Sequence, residues 1–267
     1  MALTPEQVKA RAGKLTASRV GALVSGDKEK VLDVWKELVG DPSWIEPDFS
    51  DNWPVQLGEA TEALNLRWYS KRTGNILTRQ GDVVIHPDYD WAAATLDGYD
   101  AVLACPVETK CVGGWEKTET VIQRYMPQLQ WQCEVTQSKK CAISIIAGSA
   151  EPYIEYIKYD KDYADELMAR AHRFMNHVWM MAPPVVIEKA VPVYVAHDKM
   201  REINAYGNNT FAAMASQYID NKKNAADFKE AETKLKELMP PDAKRMFGYF
   251  LQLKRAKNGT IRISALD

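Results

Sequence analysis

Three side chains within a short span of this chain have the types and spacing to do chemistry together. Asp97-Gly98 is followed by Val107-Glu108-Thr109-Lys110. That order puts one acid at the start of an expected β-hairpin and a second acid and a lysine on its return strand. Strand side chains alternate between faces, so Glu108 and Lys110 project together and Thr109 points the other way. Two carboxylates and an ammonium converging on one point suit a hard divalent cation beside a phosphodiester. Each half alone is a weak signal. Asp-Gly is a common turn dipeptide, and exposed strands often alternate acid and base. Glu62, in Gly58-Glu59-Ala60-Thr61-Glu62, completes the cation's environment if its helix faces the sheet, and is a solvated carboxylate if it does not.

The elements that must position these residues follow from period and punctuation. Thr4-Pro5-Glu6 opens a short helix that stops near Gly13, and Thr16 or Ser18 caps a second one running to about Val24. Residues 27–39 show a helical apolar pattern ending at Gly40, residues 41–52 read as a loop, and residues 54–73 are helical again. Short β-type runs follow at 83–85, 91–94, 100–103 and 107–110. Residues 119–136 form a helix in which Pro127 must kink the chain or mark the true start. Strands at 141–146 and 153–157 precede a long helix from about Asp160 to Met181, ended by Pro183-Pro184. This order predicts an α/β protein with a mixed sheet flanked by helices. Beyond 185 the composition shifts: 199–238 is polar with helical period, and 244–262 carries Lys244, Arg245, Lys254, Arg255, Lys257 and Arg262 with no acid. The expected division is therefore 1–185 and 186–267.

The global balance is unremarkable: 267 residues, 46% hydrophobic, 26% charged and net charge -2. Nucleic-acid binding must then come from a local basic surface. Cys105, Cys111, Cys133 and Cys141 lack zinc-site spacing and read as buried or incidental thiols of a reducing compartment. Neither a signal peptide nor a membrane-length apolar run is visible, so a cytoplasmic location without membrane association is expected.

Four separated blocks resemble the phage lambda exonuclease and YqaJ-like viral recombinase family of the PD-(D/E)xK nuclease superfamily. They are Arg11-Ala12-Gly13-Lys14-Leu15-Thr16-Ala17-Ser18, Leu57-Gly58-Glu59-Ala60-Thr61-Glu62, Asp97-Gly98 with Glu108-Thr109-Lys110-Cys111, and Tyr125-Met126-Pro127-Gln128-Leu129-Gln130. The similarity spans roughly residues 1–185. One departure is Leu96, where the family usually has proline before the first acid; proline only stiffens that approach.

The resemblance implies a restriction-endonuclease-like core with a C-terminal helical, basic extension. It further implies a Mg²⁺-dependent 5′→3′ exonuclease that degrades one strand of linear duplex DNA, with Mn²⁺ able to substitute and one or two ions bound. Asp97, Glu108 and the backbone carbonyl of Thr109 would ligate the metal, Lys110 would orient water and stabilise charge, and Glu62 and Gln128 would assist. Arg11 and Ser18 would capture the 5′-phosphate, although a surface charge and an N-cap are equally ordinary roles for them, as helix packing is for Gln128. The family's homotrimeric ring, and a single-strand annealing recombinase that receives the 3′ tails in a bacterial host, complete the expectation. The basic C-terminal stretch either contacts phosphates or is a solvated tail, and Phe247, Tyr249 and Phe250 beside it either stack on bases or pack. The competing readings are another PD-(D/E)xK endonuclease and a catalytically dead DNA-binding protein.

Overall fold

The computed structural model describes residues 4–185, 190, 201–222, 224–257 and 259–266, with the side chains of 225 and 226 not described. The chain forms two compact units, Met1–Val191 and Pro192–Asp267.

In the first unit, helix α1 (Pro5–Arg11) starts with a reciprocal cap: Gln7 donates its backbone N–H to Thr4, and its side chain accepts from the Thr4 backbone. The same Gln7 amide reaches the Gly81 carbonyl at 2.7 Å, which ties α1 to the body of the unit. Strand β1 (Leu15–Thr16) follows, where a cap alone was expected, and leads directly into α2 (Ala17–Leu23). Helix α3 (Lys28–Val39) is capped by Asp27 and ended by Gly40 in the left-handed region. Helix α4 (Trp53–Thr73) is capped by Asn52 and also ends on a left-handed glycine, Gly74.

Strands β2 (Leu77–Thr78), β3 (Val83–Ile85), β4 (Ala92–Thr95), β5 (Gly98–Asp100) and β6 (Cys105–Val112) come next. Helix α5 (Thr118–Thr136), strands β7 (Lys140–Ala147) and β8 (Tyr153–Lys158) and helix α6 (Lys161–Trp179) complete the unit. The strands form two sheets, β1-β4-β3 and β2-β5-β6-β7-β8. In the larger sheet, β6 pairs antiparallel with β5 and parallel with β7, a mixed arrangement that needs the helical crossover α5. One expectation is corrected here, and one alternative is decided. In the run 100–103, Asp100 ends β5 and residues 101–103 are the turn after it, not a strand. Pro127 lies inside α5 and does not begin it.

The period-two pattern of β6 sorts its neighbours. Cys105 and Val107 pack with Leu66 and Tyr69 of α4, and the buried Asn65–Ser144 pair exchanges two hydrogen bonds on that face. Glu108 and Lys110 project to the opposite face, toward α5. A second core joins α2, α3 and α6 to the small sheet through Leu15, Trp35, Trp91, Trp131 and Phe174.

The second unit corrects the expectation of one helix through 199–238. Strand β9 (Arg201–Asn204) precedes α7 (Asn209–Asp220) and α8 (Ala225–Glu237). Strands β10 (Ala243–Gly248), β11 (Leu251–Arg255) and β12 (Ile261–Ala265) follow, in the order β12-β11-β10-β9. Phe211, Ala215, Ala231, Leu235, Met246, Leu251 and Leu253 give it a core of its own. Polar composition hid this because the apolar residues are few and occupy one face of each element. Residues 186–189 and 191–200, where the expected boundary and the start of the polar helix fall, lie outside the described residues.

Candidate active site

The hairpin forms with Gly98 opposite Val107, which sets Asp97 at the mouth of β5 beside Thr109. Asp97 Oδ2 accepts both the backbone N–H and the hydroxyl of Thr109, each at 2.8 Å. The fully buried Leu96, in the place of the family's proline, seats the approach in the core.

Glu108 is buried and held from three sides. Lys110 and Gln128 donate to Oε1, the latter at 2.7 Å, and Gln132 donates to Oε2 at 2.5 Å. The Lys110 ammonium also lies 4.5 Å from the centre of the Tyr125 ring. Tyr125, Gln128 and Gln132 stand at i, i+3 and i+7 on α5, so one helix face presents all three to β6.

Electrostatics distinguish the two ends of the set. Burial, reinforced by the charge of Glu108, pushes the Asp97 carboxyl up to about 7. Burial opposes the charge on Lys110, yet Glu108 and Asp97 more than offset it and hold its pKa above the ordinary lysine value.

A cleft of about 440 Å³ opens over this centre. Asp97, Glu62 and Gln128 line it together with Arg11, Thr16 and Ser18. Arg11 Nη2 reaches Thr16 Oγ1 at 3.4 Å, and Thr16 Oγ1 lies 3.2 Å from Ser18 Oγ. Arg11 Nε is buried with no hydrogen-bond partner among the described residues. Burial, and then the neighbouring Arg19, depress the Arg11 pKa. Arg19 itself is engaged by Glu37, and among the described residues Arg11 is the cation that lines the cleft.

The fold thus brings together Arg11, Ser18, Glu62, Asp97 and Gln128 along one cleft, with Glu108, Thr109 and Lys110 on the strand beneath Asp97. Gln132 is the residue that sequence reasoning missed; its signal was the four-residue spacing from Gln128. Gln130, which shares the sequence block, points elsewhere: its amide donates to the Lys158 carbonyl and accepts from the Asp160 backbone. Ser18 is exposed, and the second helix takes no side-chain cap from Thr16. Cys105, Cys133 and Cys141 are buried free thiols, and Cys111 is partly buried. Among the described residues, no group of three or more His, Cys, Asp or Glu is arranged to hold a metal. No described helix is long and apolar enough to cross a membrane.

No curated protein matches the sequence. The fold is similar to that of LHK-Exo, an alkaline exonuclease from Laribacter hongkongensis, at 22% identity over 67% of this chain and 94% of that one, with a TM-score of 0.56. The same enzyme in complex with dAMP gives a TM-score of 0.58. A phage-related exonuclease from Haemophilus somnus 129PT is 12% identical over 63% of this chain and 94% of that one, with a TM-score of 0.51. The YqaJ-like viral recombinase domain matches residues 6–139, a span that contains Arg11, the hairpin and the whole of α5. This chain belongs to the YqaJ-like viral recombinase family.

Proposed function

We propose that this protein is a Mg²⁺-dependent 5′→3′ exonuclease that degrades one strand of linear duplex DNA and leaves 3′ single-stranded tails for an annealing recombinase. One observation carries the reading: Asp97 and Arg11, whose Nε is buried without a hydrogen-bond partner among the described residues, line a single cleft. A site for hydrolysis beside a site for a terminal phosphate is the arrangement that end-directed digestion requires.

Asp97, Glu108 and the Thr109 carbonyl would hold the ion. The donor set fits: all oxygen, two carboxylates, and an Asp97 whose ionisation is opposed by burial and by Glu108 until a cation neutralises them. When bound, Mg²⁺ polarises the scissile phosphate and acidifies a water, and Mn²⁺ supplies the same chemistry.

The chain's own residues do the rest. Gln128 and Gln132 fix the rotamer of Glu108 from both oxygens. Lys110, kept protonated by its two acidic neighbours, places positive charge where the phosphate develops negative charge. Glu62 adds a carboxylate to the lining of the cleft, where its charge acts on Asp97. Arg11 offers a guanidinium edge to the 5′-phosphate, and the Thr16 and Ser18 hydroxyls donate beside it. Assembly into a trimeric ring, which the family resemblance suggests, would add processivity.

The test is digestion of linear duplex bearing 5′-phosphate or 5′-hydroxyl, alongside covalently closed circles, with Mg²⁺ or Ca²⁺. Expected are cleavage of linear DNA with Mg²⁺ only, intact circles, and a 5′-phosphate preference that Arg11→Ala removes. Cutting of closed circles would replace this reading with an endonuclease. Equal loss on both kinds of end in Arg11→Ala would sink the phosphate pocket.

A further inference from the structure

The second unit carries a charged sheet face that the cleavage chemistry of the first unit does not use. Its inner face is apolar, with Met246, Leu251 and Leu253 buried against the helical core. Arg255, on the same inner face of β11, belongs to the fold: its guanidinium donates to the carbonyls of Met239, Pro240, Ala243 and Gly259.

The outer face differs in kind. Arg245 is directly opposite Lys254, and Lys254 is directly opposite Arg262, so three cations form one row across β10, β11 and β12. Lys254 and Arg262 are exposed. Glu202 ends the row on β9, 3.6 Å from Arg245. The next row runs Asn204, Phe247, Gln252 and Ser264. The Arg245 guanidinium lies 4.7 Å from the centre of the Phe247 ring and donates to Gln252. A cationic row beside an aromatic and amide row matches the two parts of a polynucleotide strand, phosphates and bases.

The hairpin tip adds an independent observation. Gly248 pairs with Leu251, so Tyr249 and Phe250 alone make the turn, with φ of 48° and 63°. A two-residue turn with both φ positive ordinarily takes Asn-Gly, and bulky residues there are strained. Tyr249 is anchored, since its hydroxyl accepts from the Gly207 N–H and its ring packs on Phe211. Phe250 is not: the residue is 75% exposed. A strained, solvent-facing aromatic at the end of a cationic sheet is a platform for an unstacked base.

We propose that the outer face of β10–β12, with Phe250 at its tip, binds single-stranded DNA: Arg245, Lys254 and Arg262 take phosphates, and Phe247 and Phe250 stack on bases. A duplex has no free base faces for the two aromatics. That the strand is DNA and not RNA rests on the proposed action of the cleft on DNA.

The experiment titrates full-length protein, in metal-free buffer, into dye-labelled 5′-hydroxyl oligothymidylate and follows anisotropy across salt concentrations. Oligouridylate and a duplex of equal length serve as the other arms. Substituting Arg245→Gln, Lys254→Gln and Arg262→Gln together should weaken binding at least tenfold or so and flatten the log–log salt slope by roughly 2, at about 0.7 per phosphate. Phe250→Ala should weaken binding roughly tenfold and leave the salt slope unchanged. Lys254→Glu, a single exposed change, gives the same direction if the triple variant melts early. Arg11→Ala should leave this binding intact. Unchanged affinity in both sheet variants, or parental affinity for oligouridylate or duplex equal to that for oligothymidylate, overturns the proposal. Tight oligothymidylate binding without any Mg²⁺-dependent cleavage would sink the nuclease reading and leave this face standing.

Discussion

Two aspartates flank strand β5, and the protein treats them in opposite ways. Asp100 is fully buried and saturated: the Val102 and Leu103 N–H groups donate to Oδ1, and Tyr69 and Asn75 donate to Oδ2. Among the described residues Asp97 receives only the two donors of Thr109, both on Oδ2, and has Glu108 as a charged neighbour. Donor supply separates a carboxylate that closes a turn from one left open to the proposed cation. Buried acids of the first kind stabilise the fold; those of the second kind strain it until a ligand arrives.

The comparison breaks most visibly at the first acid. Asp97→Asn should lower Mg²⁺-dependent cleavage by about a thousandfold or more while leaving the thermal midpoint unchanged or higher, because it removes a poorly supported carboxylate. Cleavage kinetics and calorimetry on one preparation check both halves. At the second acid the pattern should invert. Asp100→Ala strands four donors, so stability should fall by about 3 kcal/mol, read by denaturant unfolding, while the rate per folded molecule is retained.

The two glutamines of α5 sharpen the contrast at smaller scale. Gln132→Ala frees one oxygen of Glu108 and should cost roughly tenfold in turnover with little change in stability. Gln130→Ala should instead cost about 1 kcal/mol of stability, through the lost contacts at Lys158 and Asp160, with turnover unchanged.

The smallest effect is a pH dependence. The folded-state pKa of Asp97 lies above its unfolded value, so the folded chain binds the extra proton between the ordinary carboxylate range and about 7. Stability contributed by this group therefore falls as pH rises through that window. Mg²⁺ should offset the loss, giving a larger rise in melting temperature at pH 8 than at pH 5.5. An equal rise at both would show that the ion does not bind at Asp97.

Legibility in the sequence followed the range of the interaction. Helices α3 and α6 were readable because their apolar period, their Asp caps and the Gly40 stop after α3 are local. The hairpin was readable because turn dipeptide and strand alternation lie within a dozen residues. Strand β1 was not: two residues carry no period, and they are a strand only because Leu15 and Thr16 pair with Ala92 and Ala93. Pro127 left two readings open, and packing decides between them: α5 carries it inside a helix packed on both β7 and α6. The sheet of the second unit was hidden for the first reason again, as its pairing of β9 with β10 spans two helices.

Chemistry by residue type and spacing was the sequence's own contribution: Glu108 and Lys110 share a face because a strand repeats every two residues, wherever that strand ends up. Convergence was the work of the tertiary structure. Only the docking of α5 on β6 selects Gln132 over Gln130. Only the tie of α1 to Gly81 and of β1 to β4 carries Arg11, Thr16 and Ser18 to the cleft of Asp97. Side-chain direction is set within a few residues of backbone, whereas the meeting of distant side chains depends on packing that no local pattern records.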